Sequence, residues 1–187
     1  KGEKVLIHAA TGGVGLAAIQ IARQAGAEIF ATAGTPEKRE FLRGLGIKHV
    51  MDSRSLSFYD EILEATNHTG VDIVLNSLSG DAISSSLKLL GEYGRFLEIG
   101  KRDIYQNTRI GLWAFRKNIS YHAIDLSRTM RDRVPLIRSL LLDLQNRFHK
   151  GVLKALPQLV FSQAQITGAF RTMRQASHIG KVVINFN

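Results

Sequence analysis

Val5-Leu6-Ile7-His8-Ala9-Ala10-Thr11-Gly12-Gly13-Val14-Gly15-Leu16 runs from a short apolar strand through a glycine cluster into a helix. Val5-Leu6-Ile7 is a continuous apolar run. Apolar residues then recur at helical spacing through Val14, Ala17, Ala18, Ile21, Ala22 and Ala25, and Gly26 follows as a stop. Within it, Ala10-Thr11-Gly12-Gly13-Val14-Gly15 matches G-x-G-x-x-G with Ala in the first place. That spacing supplies a tight turn, a position without Cβ where backbone meets a pyrophosphate, and a small residue where helix packs on strand. Backbone N–H groups and the positive end of the helix dipole would hold the phosphates. The expectation is a dinucleotide cradled by Thr11, Gly12, Gly13, Val14 and Gly15. It is not a P-loop, because no Lys-Ser/Thr pair follows the last glycine.

Outward from this loop the pattern repeats. Glu28 to Thr32 reads as a second strand, and Thr35-Pro36-Glu37-Lys38 opens a second helix with a cap residue and a first-turn proline. Further strands are expected at 49–51, 71–75, 95–99 and 119–124, with helices over 57–65 and 82–90 between them. Strands alternating with helices of about ten residues imply crossover units and a parallel sheet. The fold class is therefore α/β, a doubly wound parallel sheet (Rossmann fold) with strand order 3-2-1-4-5-6 and ligands beyond the carboxyl ends of the strands.

The end of the second strand selects the cofactor. A site for NAD places Asp or Glu there to bind the ribose diol. Here the residues are Thr32-Ala33-Gly34-Thr35, followed by Lys38 and Arg39. A hydroxyl and cations favour a 2′-phosphate, which a carboxylate would repel. NADPH is the expected cofactor, with Thr35, Lys38 and Arg54 as its phosphate ligands. The plainer alternative makes Lys38 and Arg39 a solvated helix face and Thr35 a simple cap.

Asn76 and Ser77 end the fourth strand; Gly100, Lys101 and Asp103 follow the fifth. Nicotinamide and substrate would meet at this edge. Ser77 is a candidate for the nicotinamide ribose, Asn76 for cofactor binding beside it, and Gly100 for close backbone approach. Lys101 and Asp103 are candidates to donate or orient a proton; a surface ion pair is the competing reading.

The last third changes character. Residues 127–150 read as one long basic helix with Leu136, Ile137, Leu140, Leu141 and Leu144 on one face. A strand at 159–161, a helix over 163–176 and a strand at 181–186 follow. The expected division is a dinucleotide-binding core over 1–126, completed by helices and strands over 127–187.

Composition narrows the classes. The chain has 187 residues, 44% apolar, which suits one packed unit and excludes a disordered chain. It contains no Cys, which removes disulfides, thiolate nucleophiles and thiolate zinc sites, and agrees with a cytoplasmic location. The six His show no metal spacing, so no metal is assigned. No apolar run reaches the length of a membrane span, and no signal peptide is evident. The net charge is +9, with eleven Lys/Arg against four Asp over residues 101–150. Such a bias fits nucleic acid, an acidic protein or a phosphorylated ligand. The cations lack the interleaved aromatics of a nucleic-acid stacking platform, so that reading stands last.

Three blocks then carry a resemblance: residues 4–15, Val71-Asp72-Ile73-Val74-Leu75-Asn76-Ser77-Leu78, and Gly94-Arg95-Phe96-Leu97-Glu98-Ile99-Gly100-Lys101-Arg102-Asp103. Together they resemble the enoyl reductase domain of type I polyketide synthases, a zinc-independent branch of the medium-chain dehydrogenase/reductases that includes the reductase of animal fatty acid synthase. The resemblance extends to the closing Gly180-Lys181-Val182-Val183-Ile184. It implies NADPH-dependent reduction of an enoyl thioester carried on the phosphopantetheine of an acyl carrier protein, within a synthase of several domains. It also implies Asp103 as a proton-relay residue. Two departures stand out. The lysine that family members often carry shortly after the N-S-L block is missing from Ser79–Leu87. The GroES-like substrate domain that precedes the nucleotide domain is also missing, so the chain reads as a piece of a larger enzyme with little reduction expected of it alone. A stand-alone quinone oxidoreductase is the alternative enzyme.

Overall fold

The computed structural model describes residues 2–186. Six strands, β1 (Lys4–Ile7), β2 (Glu28–Ala33), β3 (His49–Asp52), β4 (Val71–Asn76), β5 (Leu90–Glu98) and β6 (Ser120–Ala123), form one sheet in the order β3-β2-β1-β4-β5-β6. Every neighbouring pair is parallel. The expected topology is therefore present. Its cause is visible in the alternation of β1, where Leu6 enters one apolar cluster while Val5 and Ile7 enter the other. Helices α1 (Gly13–Gln24) and α2 (Pro36–Gly44) cover the second face through Leu16, Ile19 and Leu42. Helices α3 (Phe58–Ala65) and α4 (Asp81–Leu89) cover the first through Phe58, Ile62, Ile83 and Leu87. Strands buried on both faces are what right-handed crossovers require.

Two elements differ from expectation. Strand β5 starts at Leu90, where Leu90 pairs with Val71, and the register then shifts so that Arg95 pairs with Ile73. Tyr93, at φ 59°, carries the backbone through this irregular stretch, which alternation could not reveal. The long helix is also two: α6 (Leu126–Asp132) and α7 (Val134–His149), after a four-residue α5 (Arg102–Tyr105). Arg133 leaves helical geometry at φ −132°, ψ 49°. Pro135, in the first turn of α7, has no N–H to bond the carbonyl of Arg131 and its ring would crowd that carbonyl, so one continuous helix cannot run through it. The apolar periodicity runs across the break and so concealed it.

The remaining strands, β7 (Gln158–Ser162) and β8 (Lys181–Asn185), form a separate parallel pair joined through α8 (Ile166–Arg174). The residues before β8 tie back to the glycine loop. Gly180 N donates to Thr11 O at 2.8 Å, and Gly12 and Gly180 form a β-bridge.

Candidate cofactor site

At the start of α1 the chain leaves hydrogen-bond donors unfilled. Gly12 occupies the N-cap at φ −72°, ψ 167°, with no side-chain cap and no acidic residue in the first turn. The first N–H groups of this 12-residue helix therefore lack carboxylate or hydroxyl partners, the condition for receiving an anion. Gly15 cannot carry a side chain, because a Cβ would lie 2.5 Å from Ala10 Cα. A Cβ on Gly13 would meet the end of the Lys181 side chain, with Cε at 2.4 Å, and one on Gly12 would lie 3.3 Å from Ala9 O. Thr11 is buried, whereas Val14 is 53% exposed at the helix mouth.

Beside this loop lies a cleft of about 250 Å³, walled by the ends of β1, β2 and β3 and by Ala176 and His178. Thr35, Lys38 and Arg54 all line it, and no Asp or Glu does. Arg54 lies over Gly34, with Nε 3.0 Å from the position a Cβ would take. Burial, and secondarily the Arg54 charge, depress the pKa of Lys38. Two cations held together without a counter-ion are poised for a multiply charged anion. The nearby carboxylate of Asp52 is engaged elsewhere, by Arg39 at 3.0 Å and by the Arg54 backbone N–H at 2.8 Å. Arg39 therefore does not join the cleft.

Thr35 does cap α2, accepting from Lys38 N at 3.3 Å, while also forming part of the cleft wall. Lys38 Nζ donates to Ala176 O at 2.5 Å. Ser53 and His178 are lining residues that motif reading missed. His178 Nδ1 is buried without a hydrogen-bond partner. The uncapped helix mouth and the acid-free pair of cations fit a dinucleotide bearing an extra phosphate.

The carboxyl edge of β4 and β5 is organised by an acid that motif reading also missed. Glu98 is 2% exposed and accepts from Asn76 Nδ2 at 2.6 Å and from Gly100 N at 2.6 Å. Burial is the main cause raising its pKa, partly offset by these bonds. The phenol of Tyr121, beside it, is pushed up to about 12, mainly by burial and then by the Glu98 charge. Asn76 lies inside: its amide also bonds both backbone groups of Leu78, so it shapes the edge instead of presenting its side chain at it. Ser77 is exposed at that edge. Gly100 has no room for a Cβ, which would lie 2.8 Å from Glu98 Oε1.

Lys101 and Asp103 do not pair with each other. Lys101 Nζ binds Asp125 at 2.7 Å, and that bond raises its pKa. Asp103 accepts the Gly80 N–H at 3.3 Å, linking the β4 and β5 loops.

Residues 13–156 match the zinc-binding dehydrogenase family. The nucleotide-binding subdomain of the enoylreductase domain of PpsC from Mycobacterium tuberculosis superposes with a TM-score of 0.78 at 47% identity, covering 82% of this chain and 86% of that one. This chain belongs to the polyketide synthase enoyl reductases. It spans their nucleotide-binding subdomain. The phthioceranic/hydroxyphthioceranic acid synthase of M. tuberculosis is 50% identical over 184 residues, 98% of this chain but only 9% of the synthase. A quinone oxidoreductase from Thermus thermophilus, whose structure includes a complex with NADPH, is 32% identical at a TM-score of 0.79, covering 99% of this chain and 58% of that one. The wider family is described by zinc, yet this chain has no Cys. Among the described residues no three His, Asp or Glu converge to hold an ion, so they do not fit a zinc site. Among the same residues no helix is long and apolar enough to cross a membrane.

Proposed function

We propose that this subdomain binds NADPH and holds it for reduction of an enoyl thioester carried on an acyl carrier protein. The cleft lined by Lys38 and Arg54 without a carboxylate is the observation that carries the choice of NADPH over NADH. The pyrophosphate lies at the bare N-terminus of α1 along Gly12, Gly13, Val14 and Gly15, beside Thr11, and the 2′-phosphate lies among Thr35, Lys38 and Arg54. When bound, NADPH supplies a hydride to the β-carbon of the enoyl group, and a proton completes the α-carbon. Ser77 and Gly100 border the nicotinamide end, with Asn76 and Glu98 shaping the edge beneath them.

Of the two candidate proton carriers, Asp103 is favoured as the group that positions the relay. The Lys101 ammonium is engaged by Asp125, and its raised pKa makes it the weaker acid. The substrate, carrier protein and remaining domains belong to the larger synthase. Similarity to a quinone oxidoreductase supports a second reading, reduction of small free enones.

Direct titration checks the cofactor assignment. The chain should bind NADPH at least tenfold more tightly than NADH, and Arg54→Ala should cost NADPH roughly ten- to hundredfold, the effect of one charge-assisted hydrogen bond of about 1.5–3 kcal/mol. Equal affinity for NADH would overturn it. Assay of the full-length parent on a carrier-bound enoyl thioester and on a free quinone separates the two readings.

A further inference from the structure

One buried carboxylate joins the carboxyl ends of three neighbouring strands. Glu98 ends β5 and is 2% exposed. Its Oε2 accepts from Asn76 Nδ2, at the end of β4, and its Oε1 from Gly100 N, each at 2.6 Å. From β6 the Tyr121 phenol also hydrogen-bonds it, with the Tyr121 ring stacked on Phe96 at 5.1 Å. The backbone repeats the pattern: Ile99 N donates to Asn76 O at 3.0 Å, and Ile124 N donates to Glu98 O at 2.8 Å. Burying a carboxylate carries a cost that these donors offset, and a neutral side chain would leave some of them without an acceptor.

The carboxylate acts at the surface through the groups it holds. Asn76 Nδ2 also donates to Leu78 O at 2.9 Å, and Asn76 Oδ1 accepts from Leu78 N at 3.2 Å. This bends the chain around Ser77, which is exposed. On the other side, Gly100 leads into Lys101 and Asp103, and Asp103 ties back to the β4 loop by accepting the Gly80 N–H at 3.3 Å. The glycine loop and the Lys38–Arg54 cleft stand elsewhere, at the ends of β1, β2 and β3.

We propose that Glu98 is a positioning residue for the nicotinamide half of the cofactor alone. Through Asn76 and Gly100 it fixes the spacing between the Ser77 loop and the Gly100–Asp103 loop, which border that half. The adenosine half, at the ends of β1 to β3, does not depend on it. This rests on the NADPH reading above and adds a residue that touches neither cofactor nor substrate.

The test is a calorimetric titration of the 187-residue chain with NADPH, NADH and 2′,5′-ADP, which lacks the nicotinamide half. Glu98→Gln keeps one accepting oxygen but turns an N–H toward a donor. It should weaken NADPH by about fivefold or more and change 2′,5′-ADP less than about twofold. Asn76→Asp, which sets two carboxylates face to face, should show the same split. In the double variant, Glu98→Gln with Asn76→Asp, the new amide can donate to the new carboxylate while its oxygen still accepts from Gly100. It should bind NADPH about threefold or more tighter than either single variant. Glu98→Asp keeps the charge but shortens the reach by one methylene; it should show the split as well, and covers the case in which the glutamine variant does not fold. An unchanged ratio of NADPH to 2′,5′-ADP affinity in the folded variants would overturn the positioning role, as would a double variant no tighter than the single ones. A wild-type chain that binds 2′,5′-ADP as tightly as NADPH would overturn it too, because the nicotinamide half would then not be held. A wild-type chain that binds NADH as tightly as NADPH would instead remove the cofactor reading on which this inference stands.

Discussion

His8 shows how one buried polar residue is made compatible with the core. Its Nε2 lies 2.8 Å from Ser86 Oγ and its Nδ1 lies 3.0 Å from Thr32 Oγ1. Ser86 donates its own proton to Ala82 O, so it can only accept from the ring. Nε2 therefore carries the hydrogen, and Nδ1 accepts from Thr32. Both nitrogens are satisfied by the neutral ring, and desolvation lowers the pKa from 6.5 to about 3. The unfolded chain takes up this proton below about pH 6.5, whereas the native chain resists it until about pH 3. Stability is thus complete at neutral pH and lost as pH falls through that window. Urea denaturation at pH 7 and pH 5 should show about 2 kcal/mol lost to this group. His8→Gln should lower stability at both pH values and remove that part of the slope.

Helix α1 makes the same point at the scale of an element. Its glycines differ in what they tolerate. Gly15→Ala should destabilise the fold by about 1–3 kcal/mol, because the new methyl meets the backbone of Ala10 at 2.5 Å. Gly13→Ala should cost less, since only the flexible end of Lys181 must move. Thermal melts of the two variants check the order. The packing role of Gly15 was readable from spacing, because G-x-G-x-x-G encodes a local turn. So was the sheet order, because crossover chirality and apolar runs act within each unit. The break at Arg133 and the early start of β5 were not readable: both depend on backbone geometry that leaves the apolar pattern undisturbed. Glu98 lies within a motif, yet its hydrogen bonding depends on Asn76 at the end of β4 and Gly100 beyond β5. His178 was silent for a similar reason, since its distance in sequence from Lys38 and Arg54 follows no motif.

Across the molecule, apolar exposure is uneven. Helix α7 has no buried residue, and Leu140, Leu141, Leu142 and Phe148 are each about half exposed or more. Trp113 is 72% exposed. We propose that the exposed apolar residues of α7 face the rest of the reductase. On its own the chain should therefore self-associate as concentration rises. Sedimentation velocity should detect this, and Leu140→Lys with Leu141→Lys should suppress it while leaving the melting temperature within a few degrees. Of the eleven Lys/Arg in residues 101–150, Lys101, Arg128, Arg131 and Arg147 are engaged by aspartates of the same segment.

The bond from Gly180 to Thr11 also orders events during synthesis. A ribosome delivers the glycine loop near the beginning of this stretch and the turn before β8 near its close. The six-stranded sheet has every strand it needs once β6 has emerged, so the scaffold is available well before the cleft is complete. A nascent chain paused between β6 and β8 would present a folded sheet with an open-sided pocket. Closing contacts between residues so far apart is entropically slow as well. The contact that joins the glycine loop to the turn before β8 can therefore form only after every strand of the sheet has been made.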